Sequence, residues 1–367
     1  MVTNVLPVST APDLEPVQLV RPDGTRRANP TFSSSLSPAE LLAMYDAMVA
    51  TRRLDEEFVN LQRQGELALY PSCRGQEAAQ VGAAAALDQH DWLFPQYREL
   101  GAWVWRGVDP GGIAVMWRGS WHGGADLLEH HSAPISIPVG THALHAVGYA
   151  MGLALDREAA VTVACIGDGA TSEGDVHEAL NFAGVYSAPC VFLVQNNQWA
   201  ISVPLSEQTR SASLAHKAIA YGMPGVRCDG NDVLATQAVM CWAANQARAG
   251  GGPALVEAVT YRMEAHTTSD DPTRYRTQAE VDSWAQLDPI SRYERLLVRE
   301  GVLTATAIQG AHDRGALMAQ RLRGSVVGAP DADPDELFQH VFADPPPALL
   351  EQREALRDEL NQLASDG

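Results

Sequence analysis

Apolar residues recur at helical spacing over 38–63, where Leu41, Leu42, Tyr45, Met48 and Val49 share one face. Ser37, Pro38 and Glu40 mark its start as a cap, a first-turn proline and the acid of a capping box. Residues 76–87 read as a helix of alanine and glycine, whose small face lets another element approach closely. Residues 91–98 look turn-rich and a Trp-rich helix follows. From 119 to 139 the pattern is lost in a long His-, Gly-, Ser- and Pro-containing loop, a length that is usually functional or mobile. Another Ala/Gly-rich helix covers 140–155.

Between 161 and 197 the pattern changes to two apolar runs with a helix between them. The first run stops at Gly167-Asp168-Gly169 and the second at Asn196-Asn197, so this stretch predicts a βαβ unit. Asp168 and Asn197 then stand just beyond the carboxyl ends of parallel strands, where open α/β sheets bind ligands. A carboxylate, an amide oxygen and a nearby backbone carbonyl are hard ligands that suit Mg²⁺ beside a phosphate. Thr171 and Ser172 are placed to cap the helix, whose free N–H groups would face an anion. Taken singly, the glycines could serve a tight turn and the asparagines another; the pairing across one βαβ unit favours the ligand site.

Downstream come a polar loop at 202–210, a strand and turn within 222–232, a helix at 233–248 and a strand at 254–260. A polar segment at 264–276 precedes helices to about 325. Residues 335–364 are acidic and helical, broken by Pro345–Pro347, with a narrow leucine stripe suited to a neighbouring surface. The expected organisation is a Pro-containing arm over 1–36, lying on a surface or a partner, an α/β domain over 37–325, and an acidic helical extension over 326–367. The sheet of that domain should be mostly parallel and flanked by helices.

Composition narrows the function classes. The formal net charge of −19 argues against nonspecific binding to nucleic acid or an anionic membrane, both of which need basic patches. Five scattered cysteines show no metal-ligand spacing and read as reduced core residues of a cytoplasmic protein. No basic region precedes an apolar core at the N-terminus and no run of 18 uncharged apolar residues occurs, so neither secretion nor a membrane span is expected. Neither GxGxxG nor GxxxxGK[ST] is present, which weighs against a nucleotide-binding module.

The segments CRGQEAAQVG, WLFPQYREL, ISIPVGTHALHAVG, IGDGATSEGDVHEALNFA, QNNQWAIS, GMPGVRCDGNDV and YRMEAHTTSDDPTRYR occur in this order. Together they resemble the alpha subunits of two-subunit 2-oxo acid dehydrogenase E1 components, of the branched-chain or pyruvate kind, over about 37–325. The resemblance implies the thiamine-diphosphate-binding fold. It also implies oxidative decarboxylation of a 2-oxo acid with reductive acylation of a lipoyl group on the E2 acyltransferase. The HTTSDDPTRYR loop and the FADPPPALLEQREAL stretch look more like branched-chain members, with pyruvate as the alternative. A noncatalytic structural or regulatory subunit is the rival from another class.

Carried over residue by residue, the resemblance implies that Asp168, Asn197 and the Trp199 carbonyl hold Mg²⁺. Gly169 and Ala170 would place N–H groups near the diphosphate, and Tyr97 and Arg98 would reach the cofactor. Ser136, Ile137 and Val139 match the segment that passes the cofactor rings. In branched-chain relatives that segment also helps bind a structural K⁺ through positions matching Ser136, Pro138, Thr141 and His142. The last is glutamine there, a departure that weighs against the ion here. His266 is the expected acid–base residue, with an imidazole that titrates near neutrality and steers the substrate carboxylate and the lipoyl end. His122, His130 and His131 in the long loop could line an entrance or simply be solvated. The glutamate that engages the aminopyrimidine belongs to a second domain for which the chain has no room. The resemblance therefore implies a beta-subunit partner in an α2β2 heterotetramer, with the small Ala/Gly helix faces at 76–87 and 140–155 as contact surfaces.

Overall fold

The computed structural model describes residues 11–119, 125–329, 333–339 and 341–366. The first helix, α1 (Pro38–Arg63), begins with the expected capping box: Ser37 Oγ accepts from Glu40 N and the Glu40 carboxylate accepts from Ser37 N. Next come α2 (Glu77–Ala85), β1 (Trp92–Phe94), α3 (Leu100–Arg106), α4 (Pro110–Trp117) and α5 (Thr141–Asp156). The βαβ unit is β2 (Thr162–Gly167), α6 (Gly174–Tyr186) and β3 (Cys190–Asn196). A small hairpin, β4 (Trp199–Ala200) and β5 (Val203–Pro204), runs into the single turn α7 (Leu205–Gln208), so the expected polar loop carries structure of its own. Then follow β6 (Gly225–Asp229), α8 (Val233–Gln246), β7 (Ala254–Val259), α9 (Gln278–Ala285), α10 (Pro289–Arg299), α11 (Ala305–Val326) and α12 (Pro347–Asp366).

The main sheet has the order β1-β2-β3-β7-β6, with every neighbouring pair parallel. Strand β1 falls in the segment read as turn-rich. Three residues are too few to show a period, and pairing with Thr162–Ala164 on β2 makes the strand. Both edges are covered by single bridges, Ser132 beside Leu93 and Val17 beside Cys228. The arm therefore lies on its own domain, with the Leu19 and Val20 N–H groups donating to Asp232.

Strand alternation sorts the interior into two layers. Val163, Cys165, Val191 and Leu193 face a core shared with α1, α2, α3 and α8. Ala164, Ile166, Phe192 and Val194 face a second core shared with α5 and α6. All five cysteines are free, and Cys73, Cys165, Cys190 and Cys228 are buried. Among the described residues no helix is long and apolar enough to cross a membrane.

The two Ala/Gly helices behave differently, which corrects the sequence reading. The whole of Glu77–Ala84 is buried inside the chain. A Cβ on Gly82 would stand 2.8 Å from Val233 O and 3.0 Å from Thr236 Cβ, so the close approach is to α8 within the chain and not to another subunit. On α5, a Cβ on Gly148 or Gly152 would meet nothing within 4 Å among the described residues, so that face is open. Gly82→Val should therefore destabilise the chain by about 1–3 kcal/mol through overpacking, whereas Gly152→Ala should leave it as stable or firmer. Urea denaturation of both variants is the check, and equal midpoints would contradict this packing.

Candidate active site

The carboxyl ends of β2, β3 and β7 open into a cavity of about 410 Å³. Tyr97, Arg98, Ile137, Val139, Asp168, Gly169, Ala170, Asn197, Trp199 and His266 all line it. Ser136 does not; its hydroxyl donates to Pro138 O at 3.2 Å and its N–H to Gln96 O at 2.8 Å.

After β2 the chain turns tightly because Gly167 N–H donates to Gln96 Oε1 at 3.1 Å and Thr171 Oγ1 donates to Asp168 O at 2.7 Å. Gly169 is required by contact, since a Cβ there would meet Ala200 Cβ at 2.6 Å. Residues Gly169–Ser172 form a 3-10 turn and Glu173 occupies the cap of α6. Thr171 and Ser172 thus do not cap the helix as expected. Instead Lys217 Nζ donates to both Thr171 O and Oγ1, at 2.8 Å each, and holds the turn from behind.

Asp168 is 1% exposed, and burial raises its pKa above the usual carboxylate range. Gln208 Nε2 donates to it at 2.7 Å, which partly opposes the shift, and among the described residues no ion pair reaches it. The two asparagines divide their work. Asn196 Nδ2 donates to the buried Glu257 at 2.7 Å, a structural bond, while Asn197 turns to the cavity and donates to Gln76 Oε1 at 3.2 Å. The loop that follows is strained, with Gln198 at φ 75° and the β-branched Ile201 at φ 54°.

Arg98 is buried. Its guanidinium donates to Ser72 O at 2.5 Å and to His266 O at 2.9 Å. Arg262, singled out only as part of a longer segment, is the residue that sequence reasoning missed. It is 1% exposed and donates to Trp199 O at 3.1 Å, Ile201 O at 2.7 Å and Tyr275 Oη at 3.0 Å. Its one sequence signal is a position just past the end of a strand.

Both guanidinium groups lie 3.3 Å from His266 Nδ1. A guanidinium offers only donors, so Nδ1 must accept and the proton sits on Nε2. Burial, then the charges of Arg98 and Arg262, drive the His266 pKa down to about 3, against the smaller pull of Asp270. The expected titration near neutrality is therefore corrected: in the ligand-free chain His266 is a neutral N–H donor. Its backbone is fixed by Asp270, which accepts from His266 N at 2.8 Å and from Tyr275 Oη at 2.5 Å.

Glu77 points elsewhere, pairing with Arg52 at 2.5 Å, as a structural residue. His130 bonds Arg106 O and His131 packs on Trp92, and neither lines the cavity; His122 lies outside the described residues. No cluster of His, Cys, Asp or Glu with metal-site spacing occurs among the described residues, so any metal here relies on the mixed oxygen set around Asp168.

Residues 45–315 match the family described as dehydrogenase E1 component. The chain belongs to that family. Its members depend on thiamine diphosphate. The 3-methyl-2-oxobutanoate dehydrogenase subunit alpha of Mycobacterium tuberculosis is 60% identical over 348 residues, 95% of each chain. The pyruvate dehydrogenase E1 component subunit alpha of Acholeplasma laidlawii is 37% identical, covering 89% of this chain and 95% of its own. The corresponding subunit of Staphylococcus aureus is 34% identical over 95% and 94%.

The tautomer assignment is open to measurement. Imidazole ¹⁵N shifts of His266 in the ligand-free chain should keep the neutral Nε2–H pattern from about pH 8 to about pH 5. A midpoint near the ordinary value of about 6.5 would show that the two arginines do not face Nδ1 in solution.

Proposed function

We propose that this chain is the alpha subunit of a branched-chain 2-oxo acid dehydrogenase E1 component, acting with a beta subunit in an α2β2 heterotetramer. The observation that carries the reading is the convergence of Asp168, Asn197, Arg98 and His266 at the ends of three parallel strands.

The cavity fits a magnesium diphosphate on its own chemistry. Two buried guanidinium groups, Arg98 and Arg262, have no carboxylate partner among the described residues, and Asp168 has no cation. Burial and the neighbouring Arg98 lower the Arg262 pKa to about 10, the response of a cation that lacks a counter-ion. Asp168, Asn197 and the Trp199 carbonyl would hold Mg²⁺, while Gly169, Ala170 and Arg98 would meet the diphosphate. His142, where branched-chain relatives carry glutamine, weighs against the K⁺ site of those relatives. His142 Nε2 donates to Cys165 O at 2.6 Å and Thr141 Oγ1 donates to Asp175 at 3.0 Å, so hydrogen bonds hold this segment.

When bound, thiamine diphosphate supplies the electron sink for loss of CO₂ from a 2-oxo acid. His266 presents its Nε2–H to the substrate carboxylate or the incoming lipoyl end. Arg98 holds the imidazole in that tautomer from the cavity floor. Leu69, Pro71, Tyr97 and Trp117 give the cavity that His266 also lines an apolar part, which supports a branched alkyl side chain as the group bound. Ile137 and Val139 are 57% and 41% exposed, which fits a site completed by the beta chain and visited by the lipoyl domain of E2. Four buried free thiols accord with a cytoplasmic setting.

Two measurements on the reconstituted α–β complex test this reading. Calorimetric titration with thiamine diphosphate and Mg²⁺ should show affinity lowered at least about tenfold by Asp168→Ala or Asn197→Ala, a loss of roughly 1.4 kcal/mol. Unchanged affinity in both would remove the cofactor assignment. Steady-state kcat/KM should favour 3-methyl-2-oxobutanoate, 4-methyl-2-oxopentanoate and 3-methyl-2-oxopentanoate over pyruvate. A preference for pyruvate of about tenfold would replace the branched-chain assignment by the pyruvate one.

A further inference from the structure

We propose that Gln76 is the positioning residue that turns the Asn197 amide so that its oxygen, and not its nitrogen, faces the cation. The inference rests on the cofactor reading above and concerns a residue to which that reading gives no role.

A side-chain amide presents either oxygen or NH₂ depending on one rotation, and only the oxygen can ligate a metal. For Asn197 two neighbours decide the choice. Trp199 N–H donates to Oδ1 at 3.3 Å, a long bond that leaves the second lone pair free. Gln76 Oε1 accepts from Nδ2 at 3.2 Å. If Asn197 turned over, its oxygen would face the Gln76 carbonyl and its NH₂ would face both Trp199 N–H and the cation. With its Oε1 toward Asn197, Gln76 makes the wrong orientation repulsive as well as the right one favourable.

The backbone of Gln76 is held on both sides. The residue is 1% exposed and sits at the first turn of α2, its N–H bonded to Cys73 O at 2.9 Å and its carbonyl to Gln80 N at 3.1 Å. Gly75, at φ 93°, brings the backbone so near β7 that a Cβ would lie 2.5 Å from Tyr261 O. Thr260 Oγ1 then donates to Gly75 O at 2.9 Å. The start of α2 is therefore clamped to the end of β7, one strand away from the asparagine it orients.

The other end of the same amide shows which atom matters. Gln76 lines the cavity, and its Nε2 is buried without a hydrogen-bond partner among the described residues. The contact with Asn197 is made by Oε1. Gln76→Glu should preserve that acceptor and remove the unpaired donor; Gln76→Leu keeps the volume and loses the acceptor.

The test uses the α–β complex, Mn²⁺ as a paramagnetic probe and thiamine diphosphate, with free Mn²⁺ counted by electron paramagnetic resonance. Gln76→Leu should weaken Mn²⁺ binding at least tenfold, while Gln76→Glu should stay within about threefold of wild type, both melting as wild type does. Gln76→Met, also without an acceptor, replaces Gln76→Leu if that variant does not assemble. Wild-type affinity in Gln76→Leu, or equal losses in the Leu and Glu variants, would overturn the proposal while leaving the cofactor reading in place. Absence of cofactor-dependent Mn²⁺ binding in the wild-type complex would instead overturn the reading and this proposal with it.

Discussion

Two buried guanidinium groups facing one imidazole set the terms for this site. Arg98 and Arg262 lie 3.3 Å from the same nitrogen of His266, and among the described residues neither forms an ion pair with a carboxylate. Burying a charge without a partner is costly. The chain offsets that cost with backbone carbonyls: Ser72 and His266 for Arg98, Trp199 and Ile201 for Arg262. Carbonyl dipoles hold the cations in place without cancelling their charge. What remains is a rigid positive floor that favours an anion and keeps His266 a donor, the preorganisation expected of a site that stabilises negative charge.

The carbonyls are themselves held. Asp55, buried on α1, accepts from Tyr70 Oη, Ser72 Oγ and Cys73 N, which fixes the loop that presents Ser72 O to Arg98. On the other side, Gln80 bridges Arg98 O and Gln195, and Gln195 donates to Glu99, whose carboxylate also accepts from Gln96 N and Arg98 N. Gln96 in turn accepts from Gly167 N at the end of β2. These residues join α1, α2, the segment before α3 and two strand ends into one network. A buried network of this kind favours a single arrangement.

Rigidity on the inner side contrasts with an open outer side. Ile137 and Val139 project from a segment without regular structure, and α5 carries exposed Tyr149 and Leu155 beside glycines with no neighbour. Among the described residues these apolar groups stay largely uncovered. The inner half of the cavity is built within this subunit, and the outer half waits on its surroundings.

Local pattern settled a good deal. The α/β class, the βαβ unit at its centre, the capping box of α1 and the strand-end positions of Asp168 and Asn197 follow from period, glycine and cap chemistry within short windows. Those features depend on neighbours in sequence. Strand β1 was illegible because three residues carry no period. The packing of α2 against α8 was illegible because a small-residue face does not say which backbone will approach it. The role of Arg262 and the protonation of His266 were hidden for a related reason. A histidine in a polar loop has an ordinary titration until the fold sets two cations against one of its nitrogens and withdraws water. Sequence alone determined which residues stand at the strand ends. Only tertiary structure decided the charge each carries and the direction each faces, because burial and long-range hydrogen bonds act between residues far apart in the chain.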